Sequence, residues 1–254
     1  MKTSMKKAFT LIELLVVIAI ISLLVSILLP SLTMAKELTK SGACMSNLRN
    51  LAVAFHMYAE EHDSYLPNLN PYHNPVPGNG MWYTNLLEPY TNTIDWTAEG
   101  WPWGMNPNGE WMHLDQGMWT CPAVTPEDVL RCTGYGVNEY HLIFYGRDPS
   151  GNLRGSLKLE DIYRSSEIFL IGDTRIYADW LGGWKTFKVL DCPVCTAWGE
   201  ISGMGWAGPK CAAPRHPGGA EGRANAAFVD GHVESCDYRD MIDNRNDMFA
   251  HDGL

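Results

Sequence analysis

The chain has 254 residues, 46% of them hydrophobic and 19% charged, which suits one globular domain with or without a membrane segment. Its formal charge of −10, from 29 acids against 19 bases, argues against binding a nucleic-acid backbone. Three of the bases, Lys2, Lys6 and Lys7, are gathered at the N-terminus, and no later stretch concentrates Lys and Arg.

Ala8 to Leu29 is almost wholly apolar. A helix of about 20 residues crosses a hydrocarbon core of roughly 30 Å. The basic residues ahead of it are expected on the cytoplasmic side and the rest of the chain outside. The run is longer than the apolar part of an ordinary secretory signal, and Leu28-Leu29-Pro30-Ser31-Leu32 offers no small-residue cleavage site. A plain signal anchor is the remaining alternative. Glu13 decides between them, because a lone carboxylate in an apolar span is costly unless paired, and so has a job. A cut between Ala8 and Phe9 would create an amine on Phe9 at membrane depth. Glu13 of a neighbouring subunit is the natural partner of that cation.

Lys6-Lys7-Ala8-Phe9-Thr10-Leu11-Ile12-Glu13 resembles the leader and cleavage site of type IV pilins and type II secretion pseudopilins. The resemblance implies a prepilin peptidase that removes residues 1–8 and methylates Phe9, with Glu13 as the assembly glutamate. It also implies copies of the chain, or related pilins, as filament partners. Ala8 stands where the family has glycine. Starting at Met5 instead of Met1 would leave a four-residue leader.

Pro30 interrupts the apolar run, and a bend there is expected rather than a stop. Leu32, Ala35, Leu38, Leu48, Leu51, Ala52, Phe55 and Tyr58 recur at three- and four-residue intervals. One helix is therefore expected from Phe9 to about His62, transmembrane over 9–29 and extracytoplasmic over 30–62. Residues 63–254 then form the head.

From Pro67 to about Gly117 the chain is rich in Pro, Gly, Asn and Trp and reads as long loops. Trp82, Trp96, Trp101, Trp103 and Trp111 either fill a loop-rich core or form a patch that binds glycan or a secreted substrate. Short strands follow: one from Gly134 to Tyr140, a buried one from Glu167 to Asp173, and an amphipathic one from Lys185 to Leu190. Ala224 to Ser235 reads as a hairpin turning at Asp230-Gly231. Helix first and antiparallel strands after give an α+β, pilin-like fold.

The order Trp119-Thr120-Cys121-Pro122, Gly134-Tyr135-Gly136, Ile171-Gly172-Asp173 and Arg215-His216-Pro217-Gly218-Gly219…Asp230-Gly231-His232 resembles a bacterial pseudopilin-like family. That family has a C-terminal H-X9-DG signature. Here residues 217–229, thirteen positions, separate His216 from Asp230, and the surplus falls around Ala220-Glu221-Gly222-Arg223 within the 215–236 segment.

His216, Asp230 and His232, with Asp173 on another strand, are candidate ligands for zinc or a harder cation such as calcium. The competing reading is structural, with Asp230-Gly231 making a turn and His216 bonding a loop; on that reading there is no cofactor. Six cysteines, Cys121, Cys132, Cys192, Cys195, Cys211 and Cys236, are disulfide candidates in an exported head, and Cys44 is the odd thiol. Cys192-Pro193-Val194-Cys195 with Cys211 and Cys236 is an alternative thiolate zinc set. No nucleophile elbow, P-loop, Rossmann or zinc-protease motif appears, so no residue pattern proposes a reaction. The chain is expected to be a structural, non-enzymatic subunit held in the inner membrane, with a membrane-anchored metalloenzyme built on His216, Asp230 and His232 as an alternative.

Overall fold

The computed structural model of the chain describes residues 10–67, 83–91, 117–124, 134–138, 142–143, 157–178, 183–185, 189–190, 210–243 and 247–250. Helix α1, Leu11–Glu61, is 51 residues long, or about 75 Å at the α-helical rise. Its start is a capping box. The Glu13 backbone N–H donates to Thr10 Oγ1 (3.2 Å), and the Thr10 N–H donates back to Glu13 Oε2 (2.8 Å). Pro30 lies inside the helix, which continues through it. At the far end Asp63 (φ 51°) and Ser64 (φ 66°) take left-handed backbone, and the chain leaves the helix there.

The two halves of α1 differ in what they touch. Leu11, Leu15, Ile20, Leu24, Leu28 and Leu32 are all exposed, as are the large apolar residues between them. From Cys44 onward one stripe is buried: Cys44, Leu48, Leu51, Ala52, Phe55 and Ala59. Full burial of a Leu or Phe contributes about 1.5–3 kcal/mol, so this stripe fastens the second half of α1 to the head.

The head is built on one sheet. Its strands are β1 (Tyr135–Asn138), β2 (Phe169–Ala178), β3 (Gly183–Lys185), β4 (Val189–Leu190), β5 (Lys210–Ala212), β6 (Arg223–Phe228) and β7 (Val233–Asp237). The order is β4-β1-β2-β6-β7, and β3 and β5 flank the far half of β2. All pairs are antiparallel except β1 with β4. Helix α1 packs across β2, β6 and β7. Two short helices, α2 (Tyr83–Leu86) and α3 (Glu88–Thr91), and the 3₁₀ turn Gly117–Trp119 cover the same core. Helix α4 (Tyr238–Ile242), capped by the Asp237 carboxylate accepting from the Arg239 N–H, follows β7.

Side-chain alternation sorts residues onto the two faces of the sheet. Asn225 and Ala227 of β6 face α1, while Ala224, Ala226 and Phe228 join Met241, Met248 and Phe249 in a second core. On β2 the pairing with β6 is irregular between Phe169 and Ile171. Leu170 and Ile171 both reach the α1 core, so the alternation changes phase, and Asp173 faces the helix in turn.

Two details of the strand reading change. The single strand expected from Lys185 to Leu190 is two pieces: Lys185 pairs with Ile176 of β2, whereas Val189 pairs with Val137 of β1. The two described pieces thus pair with different strands of the sheet. The hairpin of β6 and β7 does form, but residues 229–232 lie between its strands, with Gly231 at φ 88°. The turn is longer than two residues because the Val229 and Asp230 N–H groups are bound by the carbonyls of Ile168 and Ser165.

Candidate functional site

Under α1, four buried side chains converge: Cys44, Cys121, Asp173 and His216, with one ligand-type atom from each lying within 4.8 Å of all the others. They come from four separate segments. Cys44 heads the buried stripe of α1. Cys121 follows the 3₁₀ turn that Trp119 anchors in the core, its indole N–H donating to Thr91 Oγ1 at 3.3 Å. Asn47, one position short of a helical turn beyond Cys44, donates to the Thr120 carbonyl (3.1 Å) and so holds the Cys121 segment against the helix. Asp173 is brought inward by the phase change of β2. His216 is fixed by a two-way backbone bridge to Arg223, its N–H on the Arg223 carbonyl and the Arg223 N–H on its own. The residues between His216 and Arg223 thereby form a loop, in which Gly218, Gly219 and Gly222 all have positive φ.

Asp173 is the hub. Its carboxylate accepts from His216 Nε2 (3.0 Å), Arg215 Nη1 (3.2 Å) and the Asn225 backbone N–H (2.8 Å), and the Cys44 Sγ lies 3.5 and 3.6 Å from its two oxygens. The Cys121 Sγ is 3.8 Å from His216 Nε2. Arg215 also donates to the carbonyls of Gly134 and Thr174. Gly134, at φ 103°, leaves no room for a Cβ, which would meet Val124 at 2.7 Å.

The electrostatics follow from this packing. Burial pushes the Asp173 carboxyl up, but the His216 hydrogen bond and the Arg215 guanidinium hold it below the usual range. Burial alone would lower His216, and its bonds to Asp173 and Cys121 raise it to about 9. Burial drives the Cys44 thiol up. Cys121 is drawn down to about 7, first by the hydrogen bond from Cys44 and against the effect of burial. The cluster therefore gathers Asp173 and two basic side chains, Arg215 and His216, beside the thiols of Cys44 and Cys121, and the four ligand-type side chains are buried.

The metal set expected from sequence is divided. His216 and Asp173 do meet. Asp230 and His232 instead pair with each other, Nδ1 to Oδ1 at 2.6 Å, beside the hairpin turn and partly exposed. His216 lies opposite Arg223, at the start of β6, and Asp230 lies beyond its end. The extended strand between them spans on the order of 15 Å, too far to share an ion. In place of Asp230 and His232 the fold supplies Cys44 and Cys121. The signal for Cys44 was its place at the head of the apolar stripe it shares with Leu48, Leu51 and Phe55.

Of the disulfide candidates, Cys121 and Cys236 are free and buried, as is Cys44. Cys211 lies on β5, opposite Arg175. Cys132, Cys192 and Cys195 lie outside the described residues, as do Ala8, Phe9, Trp82, Trp96, Trp101, Trp103 and Trp111.

The second functional feature is the exposed half of α1. It is long and apolar enough to cross a membrane, and none of its most apolar stretch is buried against the head. Residues 3–29 match the model of the prokaryotic N-terminal methylation motif. The N-terminus is of the prepilin type. That match supports a prepilin-like protein, a processed pilin or pseudopilin, and with the apolar helix it is consistent with membrane anchoring. It implies processing by prepilin peptidase and points to a structural protein. No curated protein matches the chain. No solved structure matches it either.

Proposed function

We propose that the chain is a structural subunit of a type IV pilus-like or type II secretion pseudopilus-like filament. It is made as a single-pass inner-membrane protein with its head outside the cytoplasm. A prepilin peptidase cuts between Ala8 and Phe9 and methylates the new Phe9 amine. The subunit waits in the bilayer on the first half of α1 and then packs that half against its neighbours in the filament.

The observation that carries this reading is the division of α1. Its second half is fastened to the head through Cys44, Leu48, Leu51 and Phe55, while the first half, continuous with it, exposes a long apolar surface that overlaps the methylation motif. An apolar surface of that size must be covered by lipid or by other helices. Within one subunit the Glu13 carboxylate is satisfied by the Thr10 N–H and hydroxyl. In a filament it is placed to exchange those bonds for the Phe9 amine of the next subunit.

The test is the intact mass of the protein extracted from membranes after co-expression with a prepilin peptidase. The expected product begins at N-methylated Phe9. A terminus left at Met1 or Met5 overturns the reading.

A further inference from the structure

We propose that Cys44 Sγ, Cys121 Sγ, one carboxylate oxygen of Asp173 and His216 Nε2 form a tetrahedral zinc site that staples α1 to the head. Zinc takes thiolate, imidazole and carboxylate ligands at about 2.0–2.3 Å. A regular tetrahedron with such bonds has ligand-to-ligand edges of roughly 3.3–3.8 Å. Two edges of the cluster already have that size, 3.6 Å from Cys44 Sγ to Asp173 Oδ2 and 3.8 Å from Cys121 Sγ to His216 Nε2, and a third, from His216 Nε2 to the same Oδ2, is slightly shorter at 3.0 Å. The remaining separations also lie within 4.8 Å, so side-chain adjustments of about an ångström complete the shell.

The donor set selects the metal. Two soft sulfurs with one imidazole and one carboxylate suit zinc and not calcium or magnesium, which require oxygen. Charge fits as well. Two thiolates and a carboxylate against Zn²⁺ and the Arg215 guanidinium leave the site neutral, which a buried site needs. Arg215 and the Asn225 N–H grip the Asp173 carboxylate and orient it, the task of groups around a metal's own ligands. All four ligands come from protein and all are buried, so the site is closed and structural rather than catalytic.

The consequence is mechanical. One ligand sits on the helix and three on the head, so the ion would fix the register of the long helix against the sheet. This goes beyond the filament reading and does not depend on it, because the N-terminal mass is unaffected by the presence of zinc.

The experiment uses the full-length protein, extracted in detergent and purified without chelators or a metal-affinity tag. Elemental analysis and native mass spectrometry measure zinc per chain, and alkylation with peptide mapping reads each cysteine. The protein is then stripped and titrated with Co²⁺ alone. The expected result is one zinc per chain, Cys44 and Cys121 protected from alkylation, and a Co²⁺ spectrum with thiolate charge-transfer and tetrahedral bands. Cys121→Ser should bind Co²⁺ at least ten-fold more weakly. The Cys192→Ser/Cys195→Ser double variant and Asp230→Asn should bind as the parent does. The proposal falls if Cys44 and Cys121 are joined in a disulfide or are alkylated in a zinc-free protein. It also falls if zinc is lost with Cys192 and Cys195 and kept in Cys121→Ser. Should Cys121→Ser fail to fold, the alkylation map and Co²⁺ spectrum of the parent decide alone.

Discussion

The Cys44 thiol and the Asp173 carboxylate meet at 3.5 Å inside the protein although 129 positions separate them in the chain. Asp173 also answers the two cations beside it, Arg215 and His216. Replacing it by asparagine keeps the shape and removes the charge. Breaking a buried ion pair by removing one partner costs about 3–5 kcal/mol. Asp173→Asn should lower unfolding stability by that amount, read as a shift in denaturant midpoint of the full-length protein in detergent. A change below about 1 kcal/mol, the size expected of an exposed pair, would remove Asp173 from its central role.

The grip of the head on α1 is tested by comparing neighbours on the helix. Phe55 is fully buried and stacks near Tyr83, with ring centroids 6.0 Å apart, whereas Val53 is half exposed. Phe55→Ala should cost about 3–5 kcal/mol by leaving a cavity. Val53→Ala should stay within about 0.5 kcal/mol. Equal effects would mean that the second half of α1 does not pack through the stripe beginning at Cys44.

Glu13 accepts from the Thr10 N–H and hydroxyl within its own chain, both at 2.8 Å. Glu13→Ala therefore removes a helix cap worth about 1 kcal/mol at the start of a long helix, too little to unfold it. The variant should be cut and methylated like the parent, as judged by mass, yet fail to enter filaments, as judged by sedimentation of sheared material. Normal incorporation would show that the carboxylate does not pair between subunits.

The hairpin turn carries a pH dependence. Burial nudges the Asp230 carboxyl up, but the His232 backbone N–H at 3.0 Å and its ring nitrogen hold it below the ordinary value. A carboxylate with a depressed folded-state pKa stabilises the protein above its unfolded value near 3.9. That stabilisation is lost as pH falls through the lower folded value. The stability gap between the parent and Asp230→Asn should shrink as pH falls from about 5 to below about 4, with a size under about 1 kcal/mol. Denaturant midpoints across that range measure it, and a gap that widens in acid has the wrong sign for this account.

The amino-acid sequence by itself determined the features that depend on near neighbours. An apolar run long enough for a bilayer, a carboxylate placed within it, and helical spacing from Leu48 to Phe55 are local patterns, and they gave α1 its length and its exposed and buried halves. The Asp230-Gly231 pair likewise marked the hairpin, because only a few residues tolerate the left-handed backbone that Gly231 adopts. What the tertiary structure alone decided is which distant groups meet. His216 was grouped with Asp230 and His232 because they are close in sequence, but an extended strand holds its two ends apart. A shift in the alternation of β2 turned Asp173 toward α1, and a glycine-rich loop folded His216 back onto Arg223. The thiols of Cys44 and Cys121 then became neighbours, through contacts made across four segments that share no local signal.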